Sequence, residues 1–328
     1  MKCFAVALGL CGLLAQTQVL AEEIPVDPLS WLGRIAQAGQ RLNYAGTFTY
    51  QSGKNFETSR IVHVADENGE RERLEVLDGS PREVIRINDE VRCVLPDQKT
   101  VIVDRAGVRR GFPATLPTAF AELADNYQIN VGIVRRVAGR DAQQLVLIPR
   151  DNLRYGYRLW ADIGTGLLMK ARIIDESGAI IEQFTFNDVT IGGDIDETRL
   201  SARYEENDQW RVVSAYGEEI PPEASEWTLG KDAIPGYRLK SVIKRPLGRG
   251  HSDILHYVYS DGLASMSVFI KPLDVERETE GMTPFADGPI HIYRRKVNGY
   301  MVTTLGEVPF AAIKRLGDAV EPVNAADD

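Results

Sequence analysis

Cysteine is nearly absent from this chain. The 328 residues hold 3, and Cys3 and Cys11 fall in an N-terminal apolar run, which leaves Cys93. Once that run is removed no intramolecular disulfide can form, so the protein must be held by packed cores, which two domains of this size can supply. Cys93 alternates with Val91 and Leu95 and reads as a small buried hydrophobe rather than a reactive thiol. Histidine is equally scarce, with His63, His251, His256 and His291. His63 and His291 lie in strand patterns and read as structural. In HSDILH the spacing puts His251 and His256 on opposite faces of a strand, which argues against a shared metal. GxSxG, HExxH and P-loop patterns are missing, and Gly164-Thr165-Gly166 is a turn, not a phosphate cradle. The chain therefore reads as no enzyme, with no cofactor and no metal. Lys and Arg total 38 against 47 Asp and Glu, a net charge of −9, which argues against a nucleic-acid partner.

One long apolar run is present. Lys2 precedes FAVALGLCGLLA, and VLA stands before Glu22, so residues 1–21 read as a secretory signal cleaved near Ala21. The run is shorter than a comfortable membrane span, and Leu10 before Cys11 disfavours a lipoprotein signal. The rest should be exported and soluble.

After the signal, Asp27 and Pro28 predict a helix start, with Leu32, Ile35, Ala36 and Gly39 on one face. Strand patterns follow at 44–51, 59–66, 73–78, 83–88, 91–96 and 100–105, separated by ENG, DGSP, ND and PDQK turns. Residues 111–126 interrupt them with a proline-marked loop and a short helix whose inner face is Phe120, Leu123 and Ala124, a candidate lid. Strands resume at 127–139 and 142–149. Tyr157 to Phe186 then read as three antiparallel strands joined by turns at 163–166 and 175–178. Alternation sets Leu167, Met169, Ala171 and Ile173 on an apolar face and Lys170 and Arg172 on a wet one. So many consecutive strands should curl, giving a curved antiparallel half-barrel with helices over its concave face. Trp160 alternates with Arg158 and Asp162, which predicts the convex side.

The expected division is a half-barrel domain at 22–205, a linker at 206–226, a small α+β domain at 227–318 and an acidic, disordered tail at 319–328. The fold class is mainly β with α.

SDGLASMSVFI (260–270), NGYMVTTLGEVP (298–309) and the 157–186 meander resemble the MucB/RseB regulators of envelope-stress sigma factors, with the same order of parts over nearly the whole chain. The resemblance implies a periplasmic negative regulator whose first domain is similar to the lipoprotein carriers LolA and LolB. It implies binding to the periplasmic region of a single-span anti-sigma factor, protection of that region from site-1 proteolysis, and release by lipid or lipopolysaccharide in the cavity. Alginate regulation belongs to the same family context. Lipid-cavity candidates are Phe48, Tyr50, Phe120, Leu123, Tyr157, Leu159, Met169, Ile173 and Phe184, with Phe186 and Trp160 as further aromatics. Lipid-phosphate candidates are Arg109, Arg110, Arg135, Arg136, Arg154 and Arg158, with Arg150 beside them; each also fits a solvated strand face or turn. Tyr257, Tyr259, Tyr293 and Tyr300 suit a partner-binding face or, equally, a small domain's core. A homo-oligomer is compatible with the chain. The alternative function is a lipid or lipoprotein carrier of the LolA/LolB type, against which the extra second domain argues.

Overall fold

The computed structural model describes residues 27–105, 121–193, 195–204, 207–230, 233–245, 253–273, 285–287 and 289–323. The signal, residues 111–120 of the expected lid, Arg109, Arg110, Phe120 and His251 lie outside them.

Helix α1 (Pro28–Arg41) begins where Asp27 accepts the Ser30 N–H at 2.9 Å and Pro28 needs no donor of its own. It buries Trp31, Leu32, Ile35, Ala36 and Ala38. Six strands follow: β1 (Tyr44–Ser52), β2 (Asn55–Asp66), β3 (Gly69–Val76), β4 (Glu83–Ile87), β5 (Glu90–Leu95) and β6 (Thr100–Arg105). Helix α2 (Ala121–Asn126) leads into β7 (Tyr127–Val137), β8 (Arg140–Pro149), β9 (Gly156–Asp162), β10 (Leu168–Ile174) and β11 (Ile180–Ile191). The two meanders join through β1 and β11, and β12 (Arg211–Ser214) adds in parallel to β6. Among the described residues the result is a 12-stranded sheet in the order β12-β6-β5-β4-β3-β2-β1-β11-β10-β9-β8-β7. Its end strands do not pair with one another, so the curved sheet is an open half-barrel.

Two turns of the central meander are made by aspartates. Asp162 Oδ2 accepts the Thr165 N–H at 2.8 Å, and Asp175 Oδ1 accepts the Ser177 and Ala179 N–H groups at 2.9 Å. Gly166 sits at φ +80, and a Cβ there would meet Arg34 Cγ at 2.7 Å, so glycine lets the turn approach α1.

The second sheet contains β13 (Glu218–Glu219), β15 (Arg238–Arg245), β16 (Ile254–Ser260), β17 (Ser265–Pro272), β18 (Phe285–Asp287), β19 (Ile290–Val297) and β20 (Tyr300–Gly306), in the order β13-β15-β16-β17-β20-β19-β18. Helix α3 (Phe310–Asp318) lies on β19 and β20 and buries Ala312, Ile313 and Leu316. β14 (Trp227–Leu229) pairs with β21 (Val320–Pro322). The start of the expected acidic tail is therefore a strand, anchored by the fully buried Val320. The expected linker includes β12 in one sheet and β13 in the other. Ahead of β12, Tyr204 and Trp210 cover Val94, Val101 and Val103 on the outer face of the first sheet. Cys93 is half-buried rather than buried, because it lies off the face that those residues cover.

Candidate functional site

The inner face of the half-barrel is filled by side chains. Trp31, Leu32 and Ile35 of α1 and Leu123 of α2 pack on Leu145, Leu147, Tyr157, Leu159, Ala171 and Ile173. Burial of each such aliphatic side chain contributes about 1.5–3 kcal/mol. Arg34 fastens α1 to the β9–β10 turn by donating to the Ile163 and Gly164 carbonyls at 2.9 and 2.7 Å. A second cluster holds Tyr44, Phe48, Trp160, Met169, Phe184 and Phe186, with Phe48 and Phe184 edge to face at 5.0 Å between centroids.

The eight described lipid-cavity candidates fall into these two clusters. Leu123, Tyr157, Leu159 and Ile173 are in the first; Phe48, Met169 and Phe184 are in the second, with Tyr50 half-buried at its margin. Alternation had put Met169 with Ile173. A register irregularity between Leu168 and Lys170 breaks the alternation, so Leu168 pairs with Ala161 and Lys170 with Trp160. Trp160 shares a face with Lys170 and Arg172, away from α1, as its alternation predicts.

The charged part of the site lies where the two domains meet. Arg154, a lipid-phosphate candidate, is on no solvated face: its side chain is fully buried in the joint. It donates to Pro235 O at 2.7 Å and to Asp151 Oδ1 at 3.1 Å, stands 3.6 Å from Asp261, and lies over the Tyr237 ring at 4.9 Å. Asp261 accepts the Tyr127 hydroxyl at 2.9 Å and the Leu263 and Ala264 N–H groups at 2.9 and 2.8 Å. Burial nevertheless pushes its carboxyl above the ordinary range. Tyr237 donates to Leu153 O at 3.2 Å, and Arg238 pairs with Glu122 at 3.0 Å. Leu263 of the second domain packs on the α1 cluster, while Leu153 of the first belongs to the second domain's core.

Beside this network, Tyr50 donates to Glu182 Oε1 at 2.6 Å, and Glu182 Oε2 is buried without a hydrogen-bond partner among the described residues. Burial, then the charge of Glu307 from the other domain, raises the Glu182 pKa to about 7. Burial also raises Glu307.

The remaining candidates are scattered. Arg135 and Arg136 are exposed on the edge strand β7, Arg158 is exposed on the face away from α1, and the exposed Arg150 donates to Ala124 O at 3.2 Å. Tyr257 is buried in the second domain's core and bonded to Ser225, so it offers no partner surface. Tyr259, Tyr293 and Tyr300 are half-buried; Tyr293 donates to Asp318 at 2.7 Å and Tyr300 packs on Trp227 at 5.2 Å. His63 is buried between the Leu42 carbonyl at 2.8 Å and Glu70 at 3.2 Å and stacks on Tyr44. Sequence reasoning missed Asp261, Tyr237, Tyr127 and Glu182. Asp261 makes the turn between β16 and β17, and nothing local signals that the same carboxylate reaches another domain.

The MucB/RseB N-terminal domain family matches residues 27–204, and the MucB/RseB C-terminal domain family matches residues 221–321. The chain is 32% identical over 310 residues to the sigma factor AlgU regulatory protein MucB of Pseudomonas aeruginosa, covering 92% of each. It is 27% identical over 299 residues to the sigma-E factor regulatory protein RseB of Escherichia coli, covering 87% of each. The crystal structure of MucB in complex with MucA(peri) superposes with a TM-score of 0.71 at 30% identity, covering 91% of this chain and all of that one. With both domains matched, in order and nearly end to end, this chain belongs to the MucB/RseB family of sigma-factor regulatory proteins.

Proposed function

We propose that this protein is a periplasmic regulator that binds the periplasmic region of a single-span anti-sigma factor, protects it from site-1 proteolysis, and releases it when a lipid or lipopolysaccharide enters the half-barrel. It makes no covalent change to its partner. The observation that carries the binding is the match of both domains to MucB as solved with MucA(peri). Exported placement rests on the N-terminal signal pattern and the periplasmic context of the relatives; among the described residues no helix is long and apolar enough to cross a membrane.

The lipid step is supported by the chemistry of the inner face. The α1 cluster is apolar and the amphipathic helix α1 is part of its cover. Each acyl methylene buried contributes about 0.8 kcal/mol, so a dozen carbons could offset much of the cost of displacing such a helix. Release then follows from linkage: a ligand that prefers the free form weakens partner binding by its differential affinity.

The test is capture of partners by the mature protein from an envelope extract, with and without added lipopolysaccharide. The expected result is one single-span membrane protein, lost when lipopolysaccharide is present. Recovery of no such protein overturns the regulator reading, and capture indifferent to lipid overturns the release step.

A further inference from the structure

Across the first sheet, arginines are matched with carboxylates. Arg60 and Arg203 meet Glu75 at 3.2 and 2.6 Å, Arg82 meets Glu57 at 2.9 Å, and Arg86 meets Glu70 at 2.8 Å. The face of β9 and β10 turned away from α1 is different. There Arg158 stands directly opposite Arg172, and Trp160 opposite Lys170. Lys170 Nζ and Arg172 Cζ lie 5.4 and 5.5 Å from the Trp160 ring centroid. Ordinary alternation along β10 sets Lys170 and Arg172 on this face together, and the register irregularity lies just before them, between Leu168 and Lys170.

Like charges directly opposite one another destabilise an antiparallel pair, and an indole face offsets only part of that cost. Lys170 and Arg172 are half-buried, and both are pulled below their ordinary pKa. Burial is the first cause; the second is the adjacent cation, Arg172 for Lys170 and Arg158 for Arg172. Among the described residues no carboxylate is paired with these three cations. Arg172 Nε donates to Gln183 at 2.5 Å, and Asp162 is taken by Arg140 at 2.7 Å and by Thr165. Thr185, opposite Lys170, has a buried hydroxyl without a hydrogen-bond partner among the described residues.

We infer that Arg158, Lys170 and Arg172, grouped around Trp160, form a binding site for a phosphate-type anion. Guanidinium forks and an ammonium suit phosphate oxygens, and a dianion between them replaces mutual repulsion with charge-assisted hydrogen bonds. Thr185 adds a donor on the same face. The three cations lie on the face away from α1, and the site does not rest on the lipid reading above. Its phosphate is either free or carried on a lipid headgroup.

The experiment measures the melting temperature and Trp fluorescence of the mature chain in inorganic phosphate and in chloride at equal ionic strength. Phosphate is expected to raise the melting temperature and change the emission, with the emission change abolished in Trp160→Phe. Arg158→Gln, an exposed substitution, is expected to melt higher than the parent in chloride and to bind phosphate about tenfold more weakly, the loss of one charge-assisted contact. Sedimentation with phosphatidylglycerol vesicles separates the sources: vesicle binding lost in Arg158→Gln assigns a headgroup, and vesicle binding absent from the parent assigns free phosphate. An equal response to chloride, or unchanged phosphate affinity in the Arg158→Gln, Lys170→Gln double variant, overturns the site.

Discussion

Glu182 is the residue whose burial has the clearest measurable consequence. Its unfolded-chain value is near the ordinary 4.5, and burial beside Glu307 raises it to about 7 in the folded protein. Between those values the folded state binds more protons than the unfolded one, so stability falls as pH rises through that window. Above it, the cost of keeping Glu182 charged is ~3 kcal/mol. Glu182→Gln keeps the shape and removes the titration. Urea unfolding at about pH 5 and about pH 8 is expected to show a smaller fall for the variant than for the parent, the remainder coming from carboxyls such as Glu307 and Asp261 that burial also raises. An equal fall in both would mean that another group titrates.

At the scale of elements, α1 is the cover of the inner face and Trp31 is its largest buried side chain. Truncation of a buried Trp leaves a cavity and costs about 3–5 kcal/mol. Trp31→Ala is therefore expected to lower the unfolding free energy by that amount and, because the cover is loosened, to speed amide exchange in β9 and β10. Exchange unchanged there would separate the helix from the face that it covers. This helix was legible in the sequence from Asp27, Pro28 and its apolar stripe, because capping and periodicity are local. Most strand cores of the first sheet were legible for the same reason. The irregularity at Met169 was not, since a bulge depends on how β9 and β10 come into register.

At the scale of the molecule, the two domains are joined by the Arg154–Asp261 pair and its tyrosines. Asp261→Asn keeps an oxygen for the Leu263 and Ala264 N–H groups and removes the charge facing Arg154. An uncompensated buried charge costs about 3–5 kcal/mol, reduced here by the Asp151 that remains. The domains are expected to unfold in separate transitions and scattering to report a larger radius of gyration. A single transition at the parent's midpoint would show that apolar packing around Leu153 and Leu263 suffices to hold the joint. A partner that spans both domains would feel the same loosening, so anti-sigma-factor affinity is expected to fall in this variant.

The sequence by itself determined that the chain is a strand meander with an amphipathic helix over one apolar face, followed by a smaller domain. Alternation, turn chemistry and capping act over a few residues, so they can be read along the chain. Only the tertiary structure decided that Arg154 belongs to the joint rather than a solvated face, that Tyr257 is core, and that Glu182 shares a site with Glu307. Tyr127 and Asp261 are 134 residues apart, and their hydrogen bond exists because two separately formed sheets dock there. No local pattern encodes such a contact: a charged side chain looks the same in sequence whether water or another domain surrounds it.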